Sequence, residues 1–340
     1  MKILVIGGTR FVGRHFVTAT VTRGHEITLF NRGRHAAVSL EGLETIHGDR
    51  FSDLAKLAGR RWHVVLDTCG LIPRAVRTSA EALRDSVDVY VYVSSQSVYA
   101  DWSRPGVDES SPTATLTDEQ LDKANAIDPS TASAVSYGEM YGGLKVLCEQ
   151  AAQELMPGRV LVLRPGLIVG PYDYTDRFTY WVTRVARGGK VLAPGRPQRH
   201  VQFIDARDLG EWTVRMIENK QVGVYNCNGL PGEVTMASLL DECKAVSGSD
   251  ADFTWVDEDF LLQRQVTPWS ELPLWLPESD ERLKGFMFVN VDKAVEAALT
   301  FRSLKETIAD TLTWRQAVAA DEAGRAGLDP EKERRLLNEL

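Results

Sequence analysis

The apolar positions of this chain fall into short unbroken runs rather than alternating ones. Ile3-Leu4-Val5-Ile6, Ile27-Thr28-Leu29-Phe30, Leu43 to Ile46, Val64-Val65-Leu66, Val89 to Val93 and Val160-Leu161-Val162-Leu163 each have the length and composition of a strand buried on both faces. Each precedes a loop and then a helix-like segment, with helices expected at Phe11 to Thr22, Ser52 to Leu57, Arg74 to Leu83 and Tyr137 to Leu155. This alternation predicts an α/β fold, a doubly wound parallel sheet with helices on both faces.

After Gly170 the alternation breaks, and Pro171, Pro194, Pro197, Pro231, Pro268, Pro273 and Pro277 punctuate a mixed region. A first unit over residues 1–170 and a smaller mixed α/β lobe over 171–340 are expected. The two are interleaved, because Val201 to Ile204 and Val222 to Tyr225, within 201–226, look like strands returning to the first sheet. Asp329-Pro330-Glu331 combines an N-cap residue, a proline at the first helical position and a first-turn acid, so a final helix should start there. Ser103 to Ser136 is rich in Ser, Thr, Ala and Asp and long for a compact-domain connection. It reads either as a lid or mobile insertion, or as a solvated loop without a role.

Composition narrows the function classes. Hydrophobic residues at 44% and charged residues at 25% are ordinary for a soluble globular chain. A net charge of −8 without a run of like charges carries no footprint for nucleic acid or a membrane surface. A small-molecule substrate is the expected partner. Cys69, Cys148, Cys227 and Cys243 are far apart, which suggests neither a zinc site nor a disulfide framework. The six histidines, His35 among them, show no metal spacing, and no metal is expected. With no signal-peptide layout and no apolar run near the roughly 20 residues of a membrane span, a cytoplasmic protein is expected.

The first predicted strand runs into Gly7-Gly8-Thr9-Arg10-Phe11-Val12-Gly13, which opens the first helix. Glycines there allow a tight turn and bring helix N–H groups against a pyrophosphate. Arg10 stands where such turns often have their middle glycine. It could lie over the pyrophosphate or reach the adenosine ribose, or simply point to water. The second strand ends in Phe30-Asn31-Arg32-Gly33-Arg34, with no acid to accept from a ribose 2′-OH and two arginines suited to a 2′-phosphate. NADP is therefore favoured over NAD, although Asn31 could still bond a 2′-OH. Asp49 is a candidate for the adenine edge or a helix N-cap, and Cys69-Gly70 should border the cofactor by position.

The fifth strand runs into Ser94-Ser95-Gln96-Ser97-Val98-Tyr99, and a later helix carries Tyr141-Gly142-Gly143-Leu144-Lys145. Tyr and Lys four apart share a helix face. A nearby ammonium favours the phenolate and lets the tyrosine exchange a proton with a substrate hydroxyl. With Arg164-Pro165-Gly166, Gly170-Pro171 and Phe203-Ile204-Asp205 followed by Asp208, the ordered set resembles the extended short-chain dehydrogenase/reductase superfamily over roughly residues 1 to 315. The resemblance implies a Rossmann domain, bound NAD(P), Tyr141 as acid/base, Lys145 on the nicotinamide ribose and Ser95 as the catalytic serine, with Ser94 and Ser97 as weaker candidates. It also implies a homodimer.

The glycine turn, in place of Gly-x-x-Gly-x-x-Gly, is similar to an atypical subgroup whose members are described variously as reductases, epimerase/dehydratases or RNA-binding proteins. Sugar dehydratases carry an Asp-Glu pair where this chain has Gln96-Ser97. Nucleotide-sugar epimerases carry Asn and Arg where it has Leu167 and Val201, with Arg199 displaced. The leading expectation is thus an NADP-preferring oxidoreductase acting between a carbonyl and a secondary alcohol. An NAD-dependent sugar epimerase, or a non-catalytic NAD(P)- or RNA-binding protein, is the alternative. Gln96, Ser97, Tyr172 and Arg177 are candidate substrate contacts, Tyr174 is weighed with them, and Asp176 is read as a helix N-cap. Trp269, Leu272, Trp275 and Leu276 are either an apolar substrate wall or core.

Overall fold

The computed structural model describes residues 1–34, 42–129, 131–318 and 326–340. His35, and residue 130 within the Ser103 to Ser136 stretch, lie outside them. Seven parallel strands form the main sheet: β1 (Lys2–Ile6), β2 (Glu26–Asn31), β3 (Glu44–His47), β4 (Trp62–Asp67), β5 (Val87–Val93), β6 (Val160–Pro165) and β11 (Gly223–Cys227). Their order is β11-β6-β5-β4-β1-β2-β3, so the chain winds outward from β1 in both directions.

The unbroken apolar runs are explained by burial on both faces. Ile3 and Val5 join Phe16 and Val17 of α1 (Phe11–Thr22) and Leu209 and Trp212 of α7 (Ala206–Glu218) in one core. Leu4 and Ile6 face the other way, with Val76 and Ala80 of α2 (Pro73–Leu83) and Cys148, Ala151 and Ala152 of α5 (Tyr141–Leu155). Cys148 is thus a buried core residue.

Two expected helices are shorter than their apolar pattern. Ser52 to Leu57 contains only a 3-10 turn at Leu54–Leu57. The Tyr137 to Leu155 helix is broken at Gly138, whose φ of 51° ends the short α4 (Ala134–Tyr137) before α5 begins. The Ser103 to Ser136 stretch holds α3 (Asp118–Ala126), opened by a Thr117–Gln120 capping box. It is tied down by Gly106 N donating to Phe288 O at 2.7 Å and by Asn290 N donating to Val107 O at 2.9 Å.

Val201 to Ile204, expected to return to the main sheet, does not. In the 201–226 segment only the stretch from Gly223 onward joins it, pairing with β6. β10 (Phe203–Asp205) instead pairs with β7 (Leu167–Val169), and β9 (His200–Val201) pairs with β12 (Val234–Thr235). The remaining strands, β8 (Lys190–Pro194) and β13 (Asp252–Val256), pair with each other.

A further core is built by α6 (Arg177–Ala186) and α8 (Met236–Ser247) around Trp181, Leu239 and Trp275. α9 (Glu258–Gln263), α10 (Asp292–Glu296) and α11 (Leu304–Ala317) follow. The last helix, α12 (Pro330–Asn338), starts where expected, with Asp329 accepting from the N–H groups of Glu331 and Lys332. No helix among the described residues is long and apolar enough to cross a membrane.

Candidate functional site

A cleft of about 520 Å³ opens at the carboxyl ends of the central strands. Its walls bring together residues far apart in the chain: Gly7 to Gly13, Asn31, Arg32, Asp49 and Cys69 at one end, Ser95, Tyr141, Lys145 and Tyr174 at the other. Pro129, Ala132, Ser133 and Ala134 of the Ser103 to Ser136 stretch also line it.

At its glycines the turn after β1 has no room for a side chain. Gly7 and Gly8 have φ of 96° and 82°, and a Cβ on Gly13 would sit 2.7 Å from Gly8 Cα. Arg10 is the N-cap of α1 but makes no side-chain capping bond, and the first turn holds no acid. The orphan N–H groups of this helix therefore face the cleft without an internal anion, as a phosphate site requires. The Arg10 guanidinium stacks 3.8 Å over the Tyr174 ring, so in this structure it is occupied by an aromatic partner. Thr9, Phe11 and Val12 complete the turn, and Phe11 is strained at φ 22°.

At the end of β2, Asn31 Oδ1 accepts from Gly33 N at 2.8 Å, while Asn31 Nδ2 is buried without a partner. Asp49 Oδ1 accepts from Phe51 N at 2.9 Å, which makes it a turn residue on the cleft wall; the cap of the following 3-10 turn is Asp53. Cys69 is exposed to the cleft. These residues fit a dinucleotide: glycines where the turn leaves no space for a Cβ, an open helix N-terminus and an unpartnered donor near the ribose end.

Tyr141 and Ser95 meet at the other end, where the serine hydroxyl is a hydrogen-bonding partner of the phenol. Ser95 Oγ also accepts from Ser97 N at 3.1 Å and caps the 3-10 turn Gln96–Val98. Lys145 is 3% exposed, and its Nζ donates to Gly70 O at 2.9 Å and Val93 O at 2.7 Å. Burial lowers the lysine pKa and pushes the Tyr141 phenol up to about 12. The expected lowering of the phenol by Lys145 is thus not what this geometry shows. The cation that draws the phenol down is Arg177, and burial outweighs it.

The substrate candidates separate. Gln96 is buried and accepts from Asn228 Nδ2 at 3.1 Å, so its side chain is committed to the protein. Ser97 bonds Ser95. Tyr172 lies under Arg14 at 3.6 Å and beside Trp314, which makes it a packing residue between α1 and α11. Asp176 is the N-cap residue of α6, as read, but at φ 60° and without a side-chain capping bond. Leu272 and Trp275 are core, whereas Trp269 is half-buried and faces Arg177.

Two buried charge networks were invisible to motif reading, because their partners lie on separate elements. Arg50 Nη1 and Nη2 donate to Asp67 at 3.0 and 2.5 Å, and Asp67 also accepts from Tyr90. Arg164 pairs with Glu149 at 2.7 Å and donates to Tyr99.

A parallel doubly wound sheet with a glycine turn after its first strand and a cleft at its switch point defines a Rossmann-type protein. The model of the NAD dependent epimerase/dehydratase family matches residues 3–227, and the chain belongs to that family. A chloroplast stem-loop binding protein of 41 kDa from Arabidopsis thaliana is 25% identical over 73% of this chain and 63% of its own length. A 2-alkyl-3-oxoalkanoate reductase from Stenotrophomonas maltophilia is 29% identical over 51% of this chain and 52% of its own. The chain therefore spans less than two thirds of either relative. UDP-glucuronic acid 4-epimerase from Bacillus cereus, solved with NAD, shares the fold at a TM-score of 0.66 and 17% identity, over 93% of this chain and 99% of that one. A putative epimerase from Burkholderia cenocepacia does so at 0.68 and 18%, over 93% and 98%.

Proposed function

We propose that the protein is an NADP-preferring oxidoreductase that interconverts a small carbonyl compound and its secondary alcohol. The observation that carries this reading is the convergence of Ser95, Tyr141 and Lys145 on the cleft that begins at the glycine turn. When bound, the dinucleotide supplies or accepts hydride at its nicotinamide. The chain binds, orients and moves the proton. Gly7 to Gly13 and the start of α1 hold the pyrophosphate, Lys145 faces the nicotinamide ribose, and Arg32 reads the 2′-phosphate. Asn31 Oδ1 accepts from Gly33 N and its unpartnered Nδ2 can donate to a ribose hydroxyl or to a 2′-phosphate oxygen alike, so the preference for NADP rests on Arg32.

A tyrosine raised to about 12 stays protonated at neutral pH, which suits it to give its proton to a carbonyl oxygen as that oxygen becomes an alkoxide. Ser95 holds the same oxygen. The kinship with a 2-alkyl-3-oxoalkanoate reductase supports a reductive role. The net charge of −8 argues against an RNA ligand, despite the relative named for stem-loop binding.

A sugar epimerase is the second reading, and Arg199 favours it. This arginine is 7% exposed, and its Nε and Nη1 have no partner, as a residue awaiting an anionic ligand would.

The test has two arms. Protein stripped of any bound dinucleotide should bind NADPH more tightly than NADH by calorimetry, and it should oxidise NADPH with a panel of ketones and 3-oxo acids. Tyr141→Phe should retain NADPH affinity within about twofold and lose at least about 100-fold in kcat. Stoichiometric NAD that does not exchange would favour the epimerase, and full activity of the variant would remove Tyr141 from the mechanism.

A further inference from the structure

Arg177, the first residue of α6, is a half-buried cation that no carboxylate among the described residues grips. It forms no hydrogen bond and no ion pair with any described residue, although its charge interacts with Tyr141, Tyr174 and Asp173. Asp173 is 0% exposed. Its Oδ1 accepts from Thr175 N at 2.8 Å and from Thr175 Oγ1 at 2.7 Å, but its Oδ2 is buried with no partner at all. These two neighbours in the 173–177 turn do not satisfy each other. The buried Arg50 and Arg164, by contrast, are matched with the carboxylates of Asp67 and Glu149. A cation left open near Tyr141, with a buried, unpartnered acid oxygen next to that cation, marks the place of a ligand group with two oxygens.

The surroundings specify the rest of that ligand. Arg177 lies 5.4 Å from the Trp269 ring, and from there half-buried rings continue through Phe286, at 5.5 Å, to Trp102, at 5.1 Å. A cation at the head of an aromatic wall fits an amphiphile: an acid group for the guanidinium and a hydrocarbon chain along the rings.

We propose that Arg177 and Asp173 form a carboxylate-binding subsite, and that the substrate is an oxo acid whose alkyl chain lies against Trp269 and Phe286. This inference rests on the reading of Tyr141 as the proton donor for a carbonyl, and it adds which carbonyl compound is taken. The guanidinium donates to the carboxylate, the Asp173 O–H donates to its second oxygen, and the oxo group is left for Tyr141 and Ser95. The acid proton on Asp173 accords with its carboxyl being raised by burial to about 6.

The experiment separates this subsite from the reaction. Octanoate, which has no carbonyl to reduce, is titrated by calorimetry into the NADP-loaded protein and into Arg177→Met, Arg177→Lys and Asp173→Asn. NADPH affinity and thermal unfolding serve as checks that each variant folds. Arg177→Met should weaken octanoate binding by roughly 10- to 100-fold, the size of a charge-assisted hydrogen bond. Arg177→Lys should recover part of the loss. Asp173→Asn, whose amide keeps a donor and removes a negative charge, should bind at least as tightly as the parent, and weaker binding would overturn the part given to Asp173. In parallel, 3-oxooctanoate should be turned over with a KM at least about tenfold below that of 3-oxooctanamide, a preference lost in Arg177→Met. Octanoate binding that depends on Arg177 in a protein reducing neither compound keeps the subsite and overturns the reductase reading. Equal octanoate affinity in parent and Arg177→Met, or none in either, overturns the subsite, whatever the turnover.

Discussion

Arginines in the two halves of this molecule are treated in opposite ways. Around the main sheet, Arg50 and Arg164 are buried and paired, each gripping a carboxylate and a hydroxyl, with only Arg50 Nε left over. In the turn after β7, Arg177 and Asp173 sit close together, yet each keeps unsatisfied capacity. A charge that is built into the fold is paired by the fold. A charge left open beside a reactive group is held for something that comes and goes, and the protein carries the desolvation cost until it arrives.

The sharpest way to break this contrast is to unpair the first kind. Arg50→Met would leave the Asp67 carboxylate at 0% exposure with only Tyr90 and the Cys69 N–H to meet it. A loss of about 3–5 kcal/mol in urea unfolding is expected, since removing one partner strands a buried charge. Arg177→Met should cost less than about 1 kcal/mol in the same assay, because it strands nothing. Equal losses at the two sites would erase the distinction between paired and open charges.

The opposite sign is expected at Asp173. Its carboxyl is raised from 3.8 to about 6, mainly by burial, so ionising it is harder in the folded protein than in the unfolded chain. The folded state is therefore favoured by this group at low pH and loses that advantage as pH rises through about 6. Asp173→Asn cannot ionise. It should gain nothing near pH 4 and roughly 2–3 kcal/mol at pH 8, read as a rise in Tm that grows with pH. A gain that does not depend on pH would place the cause elsewhere.

What was legible in the chain follows the same divide. β1, β2, β4, β5 and β6 were readable because strands buried on both faces must be apolar throughout, and local composition records that. Tyr141 and Lys145 were readable as a pair because helix geometry fixes four-residue neighbours. The Arg50–Asp67 pair was not, since its partners are 17 residues apart on different elements. The break at Gly138 hides in a helix-like pattern, because one positive φ leaves no trace in hydrophobic periodicity. The pairing of β10 with β7 was missed for a related reason. Short apolar runs announce a strand but not which sheet it joins.

The smallest effect tests how the two halves touch. Arg10 had phosphate, the adenosine ribose or water as its expected surroundings, and the structure stacks it on Tyr174, while Arg14 lies over Tyr172 and His15 bonds Pro171 O at 2.8 Å. The glycine turn after β1 and the turn after β7 are thus clasped through one face of α1. If Arg10 serves mainly the clasp, Arg10→Ala and Tyr174→Ala should each cost about 0.5–1 kcal/mol of stability, and the double variant should cost no more than either alone. NADPH affinity should then change by no more than about twofold, and equally for NADH. If Arg10 leaves the ring to grip a phosphate once the dinucleotide binds, the two substitutions part company. Arg10→Ala would weaken NADPH by about tenfold or more, the scale of a charge-assisted contact, whereas Tyr174→Ala, by freeing the arginine, would strengthen it. The pair of affinities distinguishes a fixed clasp from a cation that changes partner when the cofactor enters.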